Sequence, residues 1–213
     1  MSTAPAAARL LAFLTRLITG VRARWVGAAP SGAQRVYYAN HSSHLDTLVI
    51  WASLPPSIRA RTRPVAAADY WDRPGLRRWL AGAVLNALLV ERAGGCGSRE
   101  ALRRIDAALA AGDSLILFPE GTRGDGSSVG DLKPGLYFVA HQRPTVELVP
   151  VYLQDLSRIL PKGEVLPVPL LGSATFGAPL ALTPGEDRHA FLQRAREALI
   201  GLSPPKEHSA ISA

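Results

Sequence analysis

Between residues 10 and 25 the apolar positions recur with helical spacing. At about 100° per residue, Leu10, Leu14, Leu17, Ile18, Val21 and Trp25 fall on one face. Arg9 and Arg16 flank one edge of that face and Arg22 the other. The pattern predicts an amphipathic helix within residues 1–30, and two readings of its apolar face stand. It can lie in the headgroup region of a membrane with its arginines reaching anionic lipid, or it can pack on the rest of the chain. Residues 34–39 then read as a strand that runs directly into Asn40 and His41. Ser42 or Ser43 can cap a helix through Leu48, Val49 and Trp51, stopped by Pro55 and Pro56. Residues 63–68 form a second short strand. Asp72 and Pro74 open a helix through Leu85, with Arg73, Arg77 and Arg78 near its start. Residues 87–91 make a third strand, and Ser98 caps a helix that Gly112 stops.

Residues 114–118 are a mostly apolar run of buried-strand length, followed at once by a Gly-rich polar segment. Lys133-Pro134-Gly135 opens a short helix through Leu136, Phe138 and Val139, and residues 146–153 are another buried strand. Residues 165–182, rich in Pro and Gly, read as irregular strands. Thr183-Pro184-Gly185-Glu186 is a capping-box pattern that starts a helix to Leu202. Strands alternating with helices imply an α/β fold: a single domain with a largely parallel sheet flanked by helices, plus the N-terminal amphipathic helix. The expected division is helix over 1–30, domain over 31–202 and a loose tail over 203–213.

Composition narrows the function classes. The chain has 213 residues, 47% hydrophobic and 19% charged, which suits one globular core rather than a disordered chain. It carries 24 Lys+Arg against 17 Asp+Glu, and nearly all of the excess is arginine, the lysines being Lys133, Lys162 and Lys206. Such a balance favours nucleic acid, an anionic membrane or a phosphorylated substrate. Aromatic residues are only 7% and form no interleaved run with basic ones, so no nucleic-acid partner is expected. The single cysteine, Cys96, cannot form an intrachain disulfide and fits a reducing compartment. No apolar stretch reaches the ~20 residues needed to cross a bilayer. The N-terminus does not read as a signal peptide, because arginines are spread through it and no small-residue cleavage site closes an apolar core.

Two polar segments follow strands, where α/β folds build their sites. In Asn40-His41-Ser42-Ser43-His44-Leu45-Asp46, a carboxylate five residues beyond a junction histidine can fold back and hold the imidazole, leaving one nitrogen free to take a proton. The alternative is that residues 43–46 form only a capping box. A metal-dependent hydrolase could use His41, His44 and Asp46, but the His-x-x-His-x-Asp spacing is not the alternating pattern of the metallo-β-lactamase fold, and His141, His189 and His208 add no ligand cluster. In Phe118-Pro119-Glu120-Gly121-Thr122-Arg123-Gly124, the glycines allow close backbone approach and Arg123 can grip a phosphate, while Glu120 can orient Arg123 or hold a substrate hydroxyl. Arg92 and Lys133 are further basic candidates.

Together these segments resemble the glycerolipid acyltransferase family, typified by 1-acylglycerol-3-phosphate acyltransferases. Residues 40–46 look like its Asn-His-x-x-x-x-Asp block, and Leu88-Leu89-Val90-Glu91-Arg92 is similar to the second block, which ends in a basic residue. Residues 118–123 match the third block closely, and Val149-Pro150-Val151 looks like the short apolar fourth. The resemblance covers residues 36–153 and implies an acyltransferase domain over 31–202. It implies His41 as the general base for an acceptor hydroxyl and Asp46 as the group that orients it. By the same resemblance Arg92, Glu120, Gly121, Thr122 and Arg123 bind the acceptor, with Arg92 and Arg123 on its phosphate. The donor is then an acyl-CoA or acyl-carrier protein, the acceptor a lysophospholipid, and neither metal nor organic cofactor is needed. A catalytically silent lipid-binding protein of the same fold is the remaining alternative. The expected location is the cytoplasmic face of the cell membrane, peripheral or monotopic.

Overall fold

The computed structural model describes residues 4–43, 45–72, 75–91, 96–154, 156 and 172–204. Its strands are β1 (Arg22–Trp25), β2 (Arg35–Ala39), β3 (Thr62–Ala67), β4 (Leu88–Val90), β5 (Ser114–Leu117), β6 (Glu147–Gln154) and β7 (Ser173–Phe176). They form one sheet in the order β1-β7-β6-β2-β5-β3-β4. From β4 through β6 every neighbouring pair is parallel; β7 runs antiparallel to β6, and β1 is parallel to β7. This is the α/β domain with a largely parallel sheet that the alternation of elements predicts.

Central β2 is buried along its whole length, which is why its sequence reads as an apolar run rather than an alternating one. Successive side chains still point to opposite faces. Tyr37 and Ala39 enter a core shared with α1 (Ala4–Thr19) and α2 (Asp46–Ser53). Val36 and Tyr38 enter a second core built with α6 (Cys96–Ala110), α7 (Gly135–Gln142) and α8 (Arg188–Ile200). Short helices α3 (Pro56–Arg59), α4 (Ala68–Trp71) and α5 (Leu76–Trp79) complete the set.

Several boundaries differ from the sequence reading. The first helix stops at Thr19, and Gly20 takes φ 54°, a left-handed value that lets the chain leave the helix. Val21 and Trp25 are therefore not on its face; residues 22–25 pair with β7, and Trp25 stacks on Phe176 with centroids 4.0 Å apart. The helix expected over residues 72–85 is broken, with Asp72 ending α4 and α5 passing into a π turn over Leu80–Val84. Arg73 and Pro74 lie outside the described residues. α2 begins at Asp46, not at Ser42 or Ser43. The Thr183 amide does donate to Glu186 (3.0 Å), but α8 is capped by Asp187, whose Oδ1 accepts from the amides of His189 and Ala190. Residues 165–171 lie outside the described residues, while within 172–182 residues 173–176 form a regular strand and Leu180 makes a single bridge to Leu148.

The orientation of α1 is unexpected. Its small and hydroxyl-bearing side is the buried one, with Ala12, Thr15 and Thr19 at most 5% exposed. Both hydroxyls are satisfied within the helix, Thr15 donating to the Leu11 carbonyl (2.8 Å) and Thr19 to the Thr15 carbonyl (2.7 Å). Small residues let α1 lie close against α2. The large apolar residues Leu10, Phe13, Leu14, Leu17 and Ile18 consequently face outward, 39–67% exposed. No described helix is long and apolar enough to cross a membrane. Overpacking the buried side with Ala12→Leu should cost about 1–3 kcal/mol in urea unfolding, whereas Leu17→Gln should change stability by under about 0.5 kcal/mol.

Candidate active site

The end of β2 is locked in place by a side chain that imitates backbone. Asn40 donates from Nδ2 to the Leu153 carbonyl (2.9 Å) and accepts from the Leu153 amide at Oδ1 (2.8 Å). The pairing with β6 thus gains a rung while the main chain is released to turn. His41, the next residue, stands at the turn with its ring stacked on Phe118, centroids 4.2 Å apart.

Asp46 is fully buried at the first position of α2. Its Oδ2 accepts from the amides of Ser42 (2.7 Å) and Ser43 (2.8 Å), and from His41 Nδ1 (2.8 Å). No capping box forms, since Leu45 precedes the helix and no side chain caps it, but the Asp46 oxygen that takes the Ser43 amide also holds the imidazole. An acceptor that cannot donate selects the His41 tautomer with its proton on Nδ1. Nε2 is then a free acceptor, unbonded among the described residues, on a side chain 20% exposed. His44, a member of the alternative metal set, lies outside the described residues.

The loop after β5 is fastened to this turn from below. Glu120, only 7% exposed, accepts from the His41 amide at Oε1 (2.8 Å) and from the Gly130 amide at Oε2 (3.0 Å). Gly124 donates in return to the His41 carbonyl (2.8 Å), and Lys133 to the Pro119 carbonyl (2.7 Å). Glu120 therefore does not orient Arg123, as the sequence suggested; its carboxylate ties the loop to the histidine. Gly121 takes φ 72°, a region that a side chain would strain, and lies with Thr122 on the exposed rim. Arg123 is half-buried without an ion pair among the described residues. It lines an open cavity of about 410 Å³ with Glu120, Gly124, Asp125, Ser128 and Gly130. Hydrogen bonds from Ser127 hold the Asp125 carboxyl below its ordinary pKa, so an anionic carboxylate lines the cavity beside Arg123, the basic side chain of its lining. Arg92 lies outside the described residues.

A family model for acyltransferases matches residues 23–154. The chain belongs to the acyltransferase family. Similar acyltransferases include the lyso-ornithine lipid O-acyltransferase of Brucella abortus (strain 2308), 29% identical over 140 residues, 62% of this chain and 48% of that protein. A 1-acyl-sn-glycerol-3-phosphate acyltransferase of Chlamydomonas reinhardtii is 27% identical over 173 residues, 80% of this chain and 49% of its own length. The chain thus spans about half the length of these curated relatives. Among solved structures, the 1-acyl-sn-glycerophosphate acyltransferase PlsC of Thermotoga maritima superposes with a TM-score of 0.69 at 20% identity, over 92% of this chain and 78% of that one. That likeness establishes the shared fold.

Three residues that support the candidate site escaped the sequence reading. Gly130 has to be small, because a Cβ there would lie 2.8 Å from Glu120 Oε2. Arg196, on α8, donates to the carbonyls of Val129 (2.7 Å from Nη2) and Gly130 (3.2 Å from Nε), holding the far end of the loop. Phe118 reads in sequence as the end of a strand, not as the ring that stacks on His41. An arginine 66 residues from its partner leaves no local signal, whereas Gly130, ten residues from Glu120, follows the fixed offset of a loop closed on itself. Gly130→Ala should displace the Glu120 carboxylate and lower the melting temperature, with a loss of about 1–3 kcal/mol in chemical unfolding.

Proposed function

We propose that the chain is an O-acyltransferase that moves a fatty acyl group from an acyl thioester to the free hydroxyl of a lysophospholipid. The observation that carries this reading is the His41 Nδ1–Asp46 Oδ2 bond of 2.8 Å, which leaves Nε2 free as a base. Nε2 takes the acceptor's hydroxyl proton as the oxygen attacks the thioester carbonyl. The resulting imidazolium is stabilised by the buried Asp46 carboxylate. A carbon–oxygen bond forms, the tetrahedral adduct collapses with rupture of the carbon–sulfur bond, and the proton on His41 passes to the departing thiolate. Ester and free thiol result without an acyl-enzyme, so no protein nucleophile is required.

The acceptor we favour is 1-acylglycerol-3-phosphate, the product then being phosphatidic acid. Arg123 supports this choice, since an unpaired guanidinium at the rim of a cavity suits a phosphate monoester. The Chlamydomonas relative's name agrees with it, whereas the Brucella relative's name makes lyso-ornithine lipid the comparison acceptor. Acyl-CoA and acyl-carrier protein are both suitable donors for this chemistry. The outward apolar face of α1 supports operation at a membrane surface, where acceptor and product both reside. The location proposed with this reading is the cytoplasmic face of the cell membrane, peripheral or monotopic.

The decisive assay is thiol release from acyl-CoA and from acyl-carrier protein over a panel of lysolipids. His41→Ala and Asp46→Asn should each lower kcat by about 10²–10⁴-fold, the second because an amide no longer enforces the Nδ1–H tautomer. Arg123→Gln should raise KM for phosphate-bearing acceptors by about tenfold with a smaller effect on kcat. Wild-type turnover by His41→Ala with every acceptor would refute the mechanism.

A further inference from the structure

The N-terminal third of the chain is short of acidic residues. Residues 1–68 contain Arg9, Arg16, Arg22, Arg24, Arg35, Arg59, Arg61 and Arg63 but only one acid, Asp46, which is committed to His41. Arg35 and Arg63 find carboxylates elsewhere, pairing with Glu147 (2.7 Å) and Asp113 (2.9 Å). Arg16 and Arg59 pair with no carboxylate among the described residues.

These two guanidiniums instead meet at the last turn of α2. Arg16 donates from Nε to the Ala52 carbonyl (2.9 Å) and from Nη2 to the same oxygen. Arg59 lies over the Trp51 ring, its guanidinium carbon 4.8 Å from the centroid. Arg59 is only 8% exposed, and its side chain hydrogen-bonds to no described residue. Burial, followed by the charge of Arg16, pushes its pKa down, though an arginine stays protonated at any working pH. The C-terminal carbonyls of α2 and the Trp51 face offset part of the cost of holding two cations here. They leave the planar donor edge of Arg59 without an acceptor.

We propose that Arg16 and Arg59 form a site for the phosphate of an anionic phospholipid in the bilayer on which the protein docks. The proposal rests on the membrane-surface reading above and adds a specific headgroup contact to it. Helical spacing puts Arg16 at the border between the buried Ala12 and Thr19 and the exposed Phe13 and Leu17, with Arg9 two turns back on the same border. A phosphate held there would sit at headgroup depth while Phe13 and Leu17 enter the acyl region. That match of charge to an adjoining apolar face favours a bilayer lipid over free phosphate. The site is distinct from the Arg123 cavity, which lies on the loop after β5.

Sedimentation of the full chain with vesicles of phosphatidylcholine, alone or mixed with phosphatidylglycerol, tests the assignment. Wild type should bind the mixed vesicles more tightly. Arg59→Gln should lose about fivefold of that binding, and Arg16→Gln/Arg59→Gln about 30-fold, with binding to phosphatidylcholine alone unchanged. Because Arg59 anchors no backbone group, its melting temperature without lipid should stay level or rise; a fall with lipid binding intact would make Arg59 structural and overturn the proposal. An equal loss in Arg22→Gln/Arg24→Gln would reduce the effect to diffuse charge and also overturn it. Release from mixed vesicles by inorganic phosphate, at an ionic strength where chloride does not release the protein, would reassign the site to free phosphate. Wild type that binds neither vesicle would sink the membrane reading itself; equal binding to both vesicles would sink only the phosphate site.

Discussion

A single carboxylate oxygen, Asp46 Oδ2, collects two backbone amides and the imidazole Nδ1 in a fully buried position. An anion kept out of water must be compensated on the spot, and here the compensation is the turn itself. The amides of Ser42 and Ser43 shape the backbone around the carboxylate, so the group that orients His41 also shapes the loop that carries it. The His41 ring and the turn that carries it are thus held by one group.

Glu120 repeats this logic from the other side. Its two oxygens bridge the His41 amide and the Gly130 amide, joining the end of β2 to a loop that begins after β5. These strands are neighbours in the sheet, in register from Val36 with Leu115 to Tyr38 with Leu117. Parallel pairing brings their carboxyl ends to the same edge, and the two buried carboxylates hold the segments that emerge there. Asn40 adds the third strand, β6, through its double bond to Leu153. The open cavity beside Arg123 is thus bordered by loops held by buried polar bonds together with the apolar anchors Val129 and Leu132.

The buried strands were legible in the sequence because a strand covered on both faces leaves an apolar run bounded by turn residues, as residues 114–117 do. β1 was not, since Arg-Ala-Arg-Trp has no apolar run and becomes a strand only by pairing with β7, some 150 residues away. Helical spacing revealed α1, but the inward side could not be read from hydrophobicity. Two threonines that satisfy their own hydroxyls can be buried in place of leucines, and the close approach of α2 selects them. At the site, His41, Asp46 and Arg123 were visible as residue types after strands. The partners of Glu120 were not, because a carboxylate that grips backbone amides marks the sequence only indirectly, here through the glycine required at 130.

The Arg196 contact has a consequence for how this domain can be cut and recombined. The family pattern ends at residue 154, whereas the guanidinium that steadies residues 129 and 130 comes from a helix beginning at 188. The end of the family match is therefore not the boundary of mechanical integrity. A chimaera that exchanged only the matched segment would pair one protein's loop with another's brace. The smallest portable module of this fold includes the C-terminal helix.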